Sequence, residues 1–115
     1  MNSRFEHLRH EEYPDAAPVA SYYSENISLD RTETIHIHFA EAERGKWVGG
    51  YSVFWKNGRQ SLKIPSLADG WFSSAREAKL FYLGFMLGYL EFFTGENQFA
   101  IKEAVNKYSQ STLFE

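Results

Sequence analysis

The sequence predicts an α+β domain: a three- or four-stranded antiparallel meander covered on one face by a long helix, with a shorter C-terminal helix beside it. Three observations predict it. Residues 33–39 and 51–55 alternate apolar and polar side chains with the two-residue period of a half-buried strand. Asn57-Gly58 supplies a tight reversal between two such stretches. Ser74-Ala75-Arg76-Glu77 then opens a long apolar run with the signature of a capping box.

Residues 1–18 read as an irregular arm, because Pro14 and Pro18 interrupt regular structure there. Residues 19–115 form the single domain. Tyr22, Tyr23, Ile27 and Leu29 fit an edge strand within residues 19–29. The strands proper are expected over about 33–65. Ile35, Ile37 and Phe39 make the apolar side of the first, and Thr34, His36 and His38 its polar side. A short connection at Glu43-Arg44-Gly45 returns the chain to Trp47. Gly49-Gly50 precedes strand rather than helix, so it reads as a bulge or a close backbone approach, not as a phosphate-binding loop.

Asn-Gly fits a two-residue type I′ turn. That turn sets Trp55 opposite Gln60, Val53 opposite Leu62 and Tyr51 opposite Ile64 on one apolar face. The other face receives Ser52, Phe54, Lys56, Arg59, Ser61 and Lys63. Pro65 closes the sheet. A sheet so patterned needs a cover. The first helix, about 75–93, supplies it and stops near Thr94-Gly95. The second, about 97–108, carries Ile101, Ala104, Val105 and Tyr108 on one stripe.

With 115 residues and no cysteine, the chain can bury a core but has no thiol catalysis, zinc–thiolate site or disulfide scaffold. Ten Phe, seven Tyr and three Trp make that core aromatic. The first residues are polar and lack a signal-peptide apolar stretch, so a cytoplasmic location is expected. Residues 80–90 are the longest apolar run. A bilayer needs about 20 such residues, so no membrane partner is expected. The formal charge is −3, yet Arg44, Lys46, Lys56, Arg59 and Lys63 lie between Glu43 and Asp69 with no acid among them.

No nucleophile elbow, P-loop or spaced carboxylate pair is present, so the chain reads as a non-enzymatic binding or regulatory module without a cofactor. Its partner is expected to be macromolecular. The sharpest version is single-stranded nucleic acid on the outer sheet face, with Phe54, His36 and His38 as stacking rings and Lys56, Arg59 and Lys63 as the phosphate track. A second version is protein binding. Tyr82, Leu83, Met86, Tyr89, Leu90 and Phe93 form an apolar band on the first helix that suits a homodimer. Gln110-Ser111-Thr112-Leu113-Phe114 resembles the short peptide by which bacterial replication and repair proteins dock onto the sliding clamp. That resemblance implies Leu113 and Phe114 in an apolar groove and Gln110 at its rim; Ser111 replaces the motif's usual leucine. A metal reading would use His36 and His38 as two ligands leaving one strand face, with Glu33, His7 or His10 as a third. The pair has no diagnostic partner spacing, so no metal site is assigned.

Overall fold

The computed structural model describes residues 12–110. Four strands, β1 (Tyr23–Asn26), β2 (Thr34–Glu43), β3 (Lys46–Phe54) and β4 (Gln60–Lys63), pair in the order β1-β2-β3-β4, all antiparallel. Two helices follow, α1 (Ala75–Leu87) and α2 (Gly95–Gln110). The α+β class and the meander are as the sequence predicts, and the edge strand of residues 19–29 is present as β1. Among the described residues, no helix is long and apolar enough to cross a membrane.

Alternation sorts the sheet. Ile35, Ile37 and Val53 are 2% exposed or less and face the helices, where Phe72, Leu83 and Ile101 meet them in one core. The N-cap bond of the expected capping box forms, with the Ser74 hydroxyl accepting the Glu77 N–H at 3.1 Å. Helix α1 ends six residues before the expected Phe93. Gly88 caps it, and a short 3-10 turn, Leu90–Phe92, leads to α2. Helix α2 correspondingly begins at Gly95, two residues early, and runs to Gln110.

The hairpin tip overturns the expected register. Asn57 does not adopt positive φ; only Gly58 does, at 89°. Gly58 N–H bonds Trp55 C=O at 3.0 Å, and Trp55 N–H bonds Arg59 C=O at 2.8 Å. The loop is therefore a type I turn followed by a left-handed glycine, three residues long rather than two. One extra residue flips every side chain of β4. Phe54 pairs with Gln60, Val53 with Ser61, Ser52 with Leu62 and Tyr51 with Lys63. Leu62 and Ile64 turn outward, at 59% and 39% exposure. Ser61 and Lys63 turn toward the helices.

Both glycines of Gly49-Gly50 are close-approach positions. On the helix side, a Cβ at Gly49 would lie 2.8 Å from the Tyr82 ring. On the outer side, one at Gly50 would lie 2.1 Å from the Lys63 carbonyl oxygen and 3.1 Å from Pro65. The chain leaving β4 thus crosses the outer face against Gly50. It is held there by the N-terminal segment: Pro18 bridges Ser66, and Val19 N–H bonds Pro65 C=O at 2.9 Å. Val48 and Ala40, on the outer side by alternation, are buried at 0% and 6%. So the outer face is covered at its centre, where Ala40, Val48 and Gly50 lie, while Phe54 and Leu62 at the β3–β4 hairpin and Ser24 and Asn26 on β1 stay exposed.

Helix α2 flanks α1 on the β1 side. Glu25 of β1 accepts from Tyr108 at 2.6 Å and from Lys79 at 3.2 Å. At the other end Asn97, fully buried, accepts the N–H groups of Leu29 and Asp30 at 2.8 and 3.0 Å. It donates to Asp30 C=O and to the Glu33 carboxylate at 3.0 and 2.9 Å. All four capacities of the amide are used for one job. With both helices over β1–β3, the helix-side face of β4 stays open.

Candidate functional site

The six residues expected to share the outer face do not. His36, His38 and Phe54 are there, Phe54 at 46% exposure. Lys56 sits at the hairpin tip. Arg59 and Lys63 lie on the helix side, where Arg59 lines a cavity with Trp55 and Tyr89, and Lys63 pairs with Asp69 at 3.0 Å. The cause is the single residue added to the loop. Gln110 is the exposed last residue of α2, while Leu113 and Phe114 lie outside the described residues.

His38 differs most from its expected solvated position. It is 4% exposed, with the Tyr22 ring centroid 4.6 Å from its own. Ser24 Oγ lies 2.7 Å from Nδ1 and Ser52 Oγ lies 3.2 Å from Nε2. Both ring nitrogens are engaged, so His38 has none left for a metal. No group of three metal-ligating side chains occurs among the described residues, and His7 and His10 lie outside them.

Burial, with a smaller contribution from His36, holds the His38 pKa below its ordinary value of 6.5. The folded protein then favours neutral imidazole. Stability from this site is complete above pH 6.5 and is lost as pH falls below it, because the unfolded chain takes up the proton first. Wild-type melting midpoints should fall between pH 7 and 5, and His38→Gln should flatten that slope. Glu25 belongs to a separate window. Burial raises its pKa, but hydrogen bonds from Tyr108 and Lys79 outweigh that and lower it below 4.5. Its stabilisation is therefore lost only at more acid pH. An equal slope between pH 7 and 5 in His38→Gln would refute the assignment.

The open helix side of β4 forms a groove. Tyr51, Val53 and Trp55 of the hairpin make one wall, and Phe85 and Met86 of α1 make the other with Tyr89 and Phe93. The rings run continuously: Tyr51 to Phe85 at 5.6 Å, Phe85 to Tyr89 at 5.0 Å, Tyr89 to Phe92 at 6.2 Å. Two adjoining cavities, about 220 and 210 Å³, share Trp55 and Tyr89. Asn57 and Arg59 edge the second.

Much of the apolar band expected on the first helix is core: Tyr82, Leu83, Met86 and Phe93 are buried. Tyr89 remains, 46% exposed, joined by Phe85 at 42% and Phe92 at 54%. Sequence reading missed those two. The spacing of Phe85 and Tyr89, one helical turn, was the available signal. Which flank α2 takes decides what stays uncovered, and periodicity carries no information on that.

The groove lining is mainly aromatic and apolar, with Ser61, Asn57 and Arg59 as its polar members. Fold and site together define a small α+β module with an aromatic cleft between a hairpin and a helix end. Comparisons with protein-family models, curated proteins and solved structures found no match to the chain.

Proposed function

We propose that this chain is a non-enzymatic protein-binding module whose partner docks in the aromatic groove. One observation carries the reading: Phe85, Tyr89 and Phe92 stand side by side at 42–54% exposure against Trp55, although the molecule has apolar core enough to bury rings elsewhere. Contiguous apolar surface of this kind marks interaction sites, and aromatic residues dominate binding hot spots. The nucleic-acid alternative retains Phe54, His36 and Lys56 on or beside the outer face. It is weakened by the placement of Arg59 and Lys63 on the helix side, since a strand of phosphates needs a continuous cationic track.

The test compares three tagged full-length proteins as bait: wild type, Phe85→Ser/Tyr89→Ser/Phe92→Ser, and the outer-face control Phe54→Ser/Leu62→Ser. A protein captured by wild type is purified and titrated against all three. Affinity should fall more than about tenfold in the groove variant only. The exposed positions replaced should leave the fold intact, within about 1 kcal/mol of stability each. Equal affinity for wild type and groove variant would refute the site. A concentration-dependent dimer lost in the groove variant would identify a second copy as the partner.

A further inference from the structure

We infer that the groove takes a peptide carrying two neighbouring apolar side chains and a carboxylate, an inference that rests on the protein-binding reading above. The two cavities, sharing Trp55 and Tyr89 as a common wall, provide adjacent seats for two apolar side chains. The acid follows from the polar groups left over. Trp55 Nε1 is buried and has no hydrogen-bond partner among the described residues. An indole N–H can only donate.

Arg59 stands exposed at the mouth, and among the described residues no carboxylate pairs with it. Asn57 spends its side-chain oxygen on Arg59 N–H at 2.9 Å, which leaves its amide donors. Within the groove, the Ser61 hydroxyl already donates to Tyr51 at 3.3 Å. Lys63, at the far edge, already has Asp69. What remains open at the mouth is the Asn57 amide and one cation. A ligand that satisfies them brings acceptors and negative charge, and a carboxylate matches a guanidinium in fork geometry.

A nucleic-acid strand also offers rings and negative charge. Against it, the groove holds a single guanidinium, and Glu91 lies exposed on the turn between Tyr89 and Phe92. One carboxylate suits that balance better than a run of phosphates.

A phage-displayed random dodecapeptide library selected on the full chain tests this. The expected consensus pairs two Leu, Phe or Trp residues with a nearby Asp or Glu. Affinity of a synthetic consensus peptide should fall at least tenfold in Arg59→Glu, less in Arg59→Lys, and several-fold in Trp55→Phe. Trp55→Phe should also melt no lower than wild type, because it deletes an unmatched donor; a purely structural tryptophan would not behave so. An apolar consensus without acid, unmoved by Arg59→Glu, would overturn this inference and leave the groove reading standing. Consensus peptides that bind the Phe85→Ser/Tyr89→Ser/Phe92→Ser variant as well as wild type would overturn both. Binding of labelled oligothymidylate, lost in Arg59→Glu and competing with the selected peptides, would overturn the peptide assignment in favour of nucleic acid.

Discussion

Gly50→Ala should destabilise the fold by about 3 kcal/mol or more, or prevent folding, on the scale of severe overpacking against backbone. A methyl group there would sit 2.1 Å from the Lys63 carbonyl oxygen, well inside contact distance. Relief requires moving backbone, because the obstruction is not a flexible side chain. Lys63 cannot retreat easily, since it pairs with Tyr51 and the chain beyond it is pinned through Pro65 to Val19. Gly49→Ala makes the comparison. Its methyl would meet the Tyr82 ring at 2.8 Å and the Ala78 carbonyl oxygen at 3.3 Å, and a ring can rotate where a carbonyl cannot. Chemical denaturation of both variants measures the difference, and Gly50→Ala should be the less stable. Gly50→Ala at wild-type stability would mean that the crossing segment does not lie against β3.

Asn97→Ala should cost about 3–5 kcal/mol, since buried polar groups left without partners lose about 1–3 kcal/mol each. The amide removed serves two backbone N–H groups, a carbonyl and the Glu33 carboxylate at once. Thr94 N–H still reaches Glu33 at 3.1 Å, so that carboxylate keeps part of its coordination. Asn97→Asp separates shape from donor chemistry. It retains the oxygen for Leu29 and Asp30 but sets a second carboxylate where the amide nitrogen lay 2.9 Å from Glu33. Its deficit should shrink as pH falls and the pair shares a proton, the reverse of the His38 trend. In a domain of this size, each kcal/mol moves the melting midpoint by about 4–8 °C, so both losses are large by calorimetry. A midpoint within about 4 °C of wild type for Asn97→Ala would show that water replaces the amide at little cost.

What the sequence makes legible here is local. Ser74 and Glu77 stand three residues apart, and the cap they form needs nothing else from the fold. The alternation of Ile35, Ile37 and Val53 likewise fixes which face is apolar. The position of the hairpin reversal was equally plain, at Asn57-Gly58. Its loop class was not, because Asn57 can enter either a two-residue or a three-residue turn, and that choice alone sorted Arg59, Ser61, Leu62 and Lys63 to opposite faces. His38 was misplaced for a different reason. Periodicity assigned it to the outer face correctly, but burial there depends on Tyr22 and on segments distant in sequence. The groove was the least legible feature, since Phe85 and Phe92 look like core until α2 is seen to lie on the β1 side.

The Asn97 clamp has a temporal consequence as well. Its bonds join residues 64 to 68 positions apart, whereas each β-hairpin joins near neighbours. At about 5–20 residues per second, a ribosome needs roughly 3–13 s to deliver Asn97 after Glu33. The meander can zip during that wait, but the N–H groups of Leu29 and Asp30 and the Glu33 carboxylate stay in water until Asn97 emerges. Docking of α2 thus comes after the meander has zipped, and a nascent chain stalled before Asn97 should expose the 29–33 loop to protease.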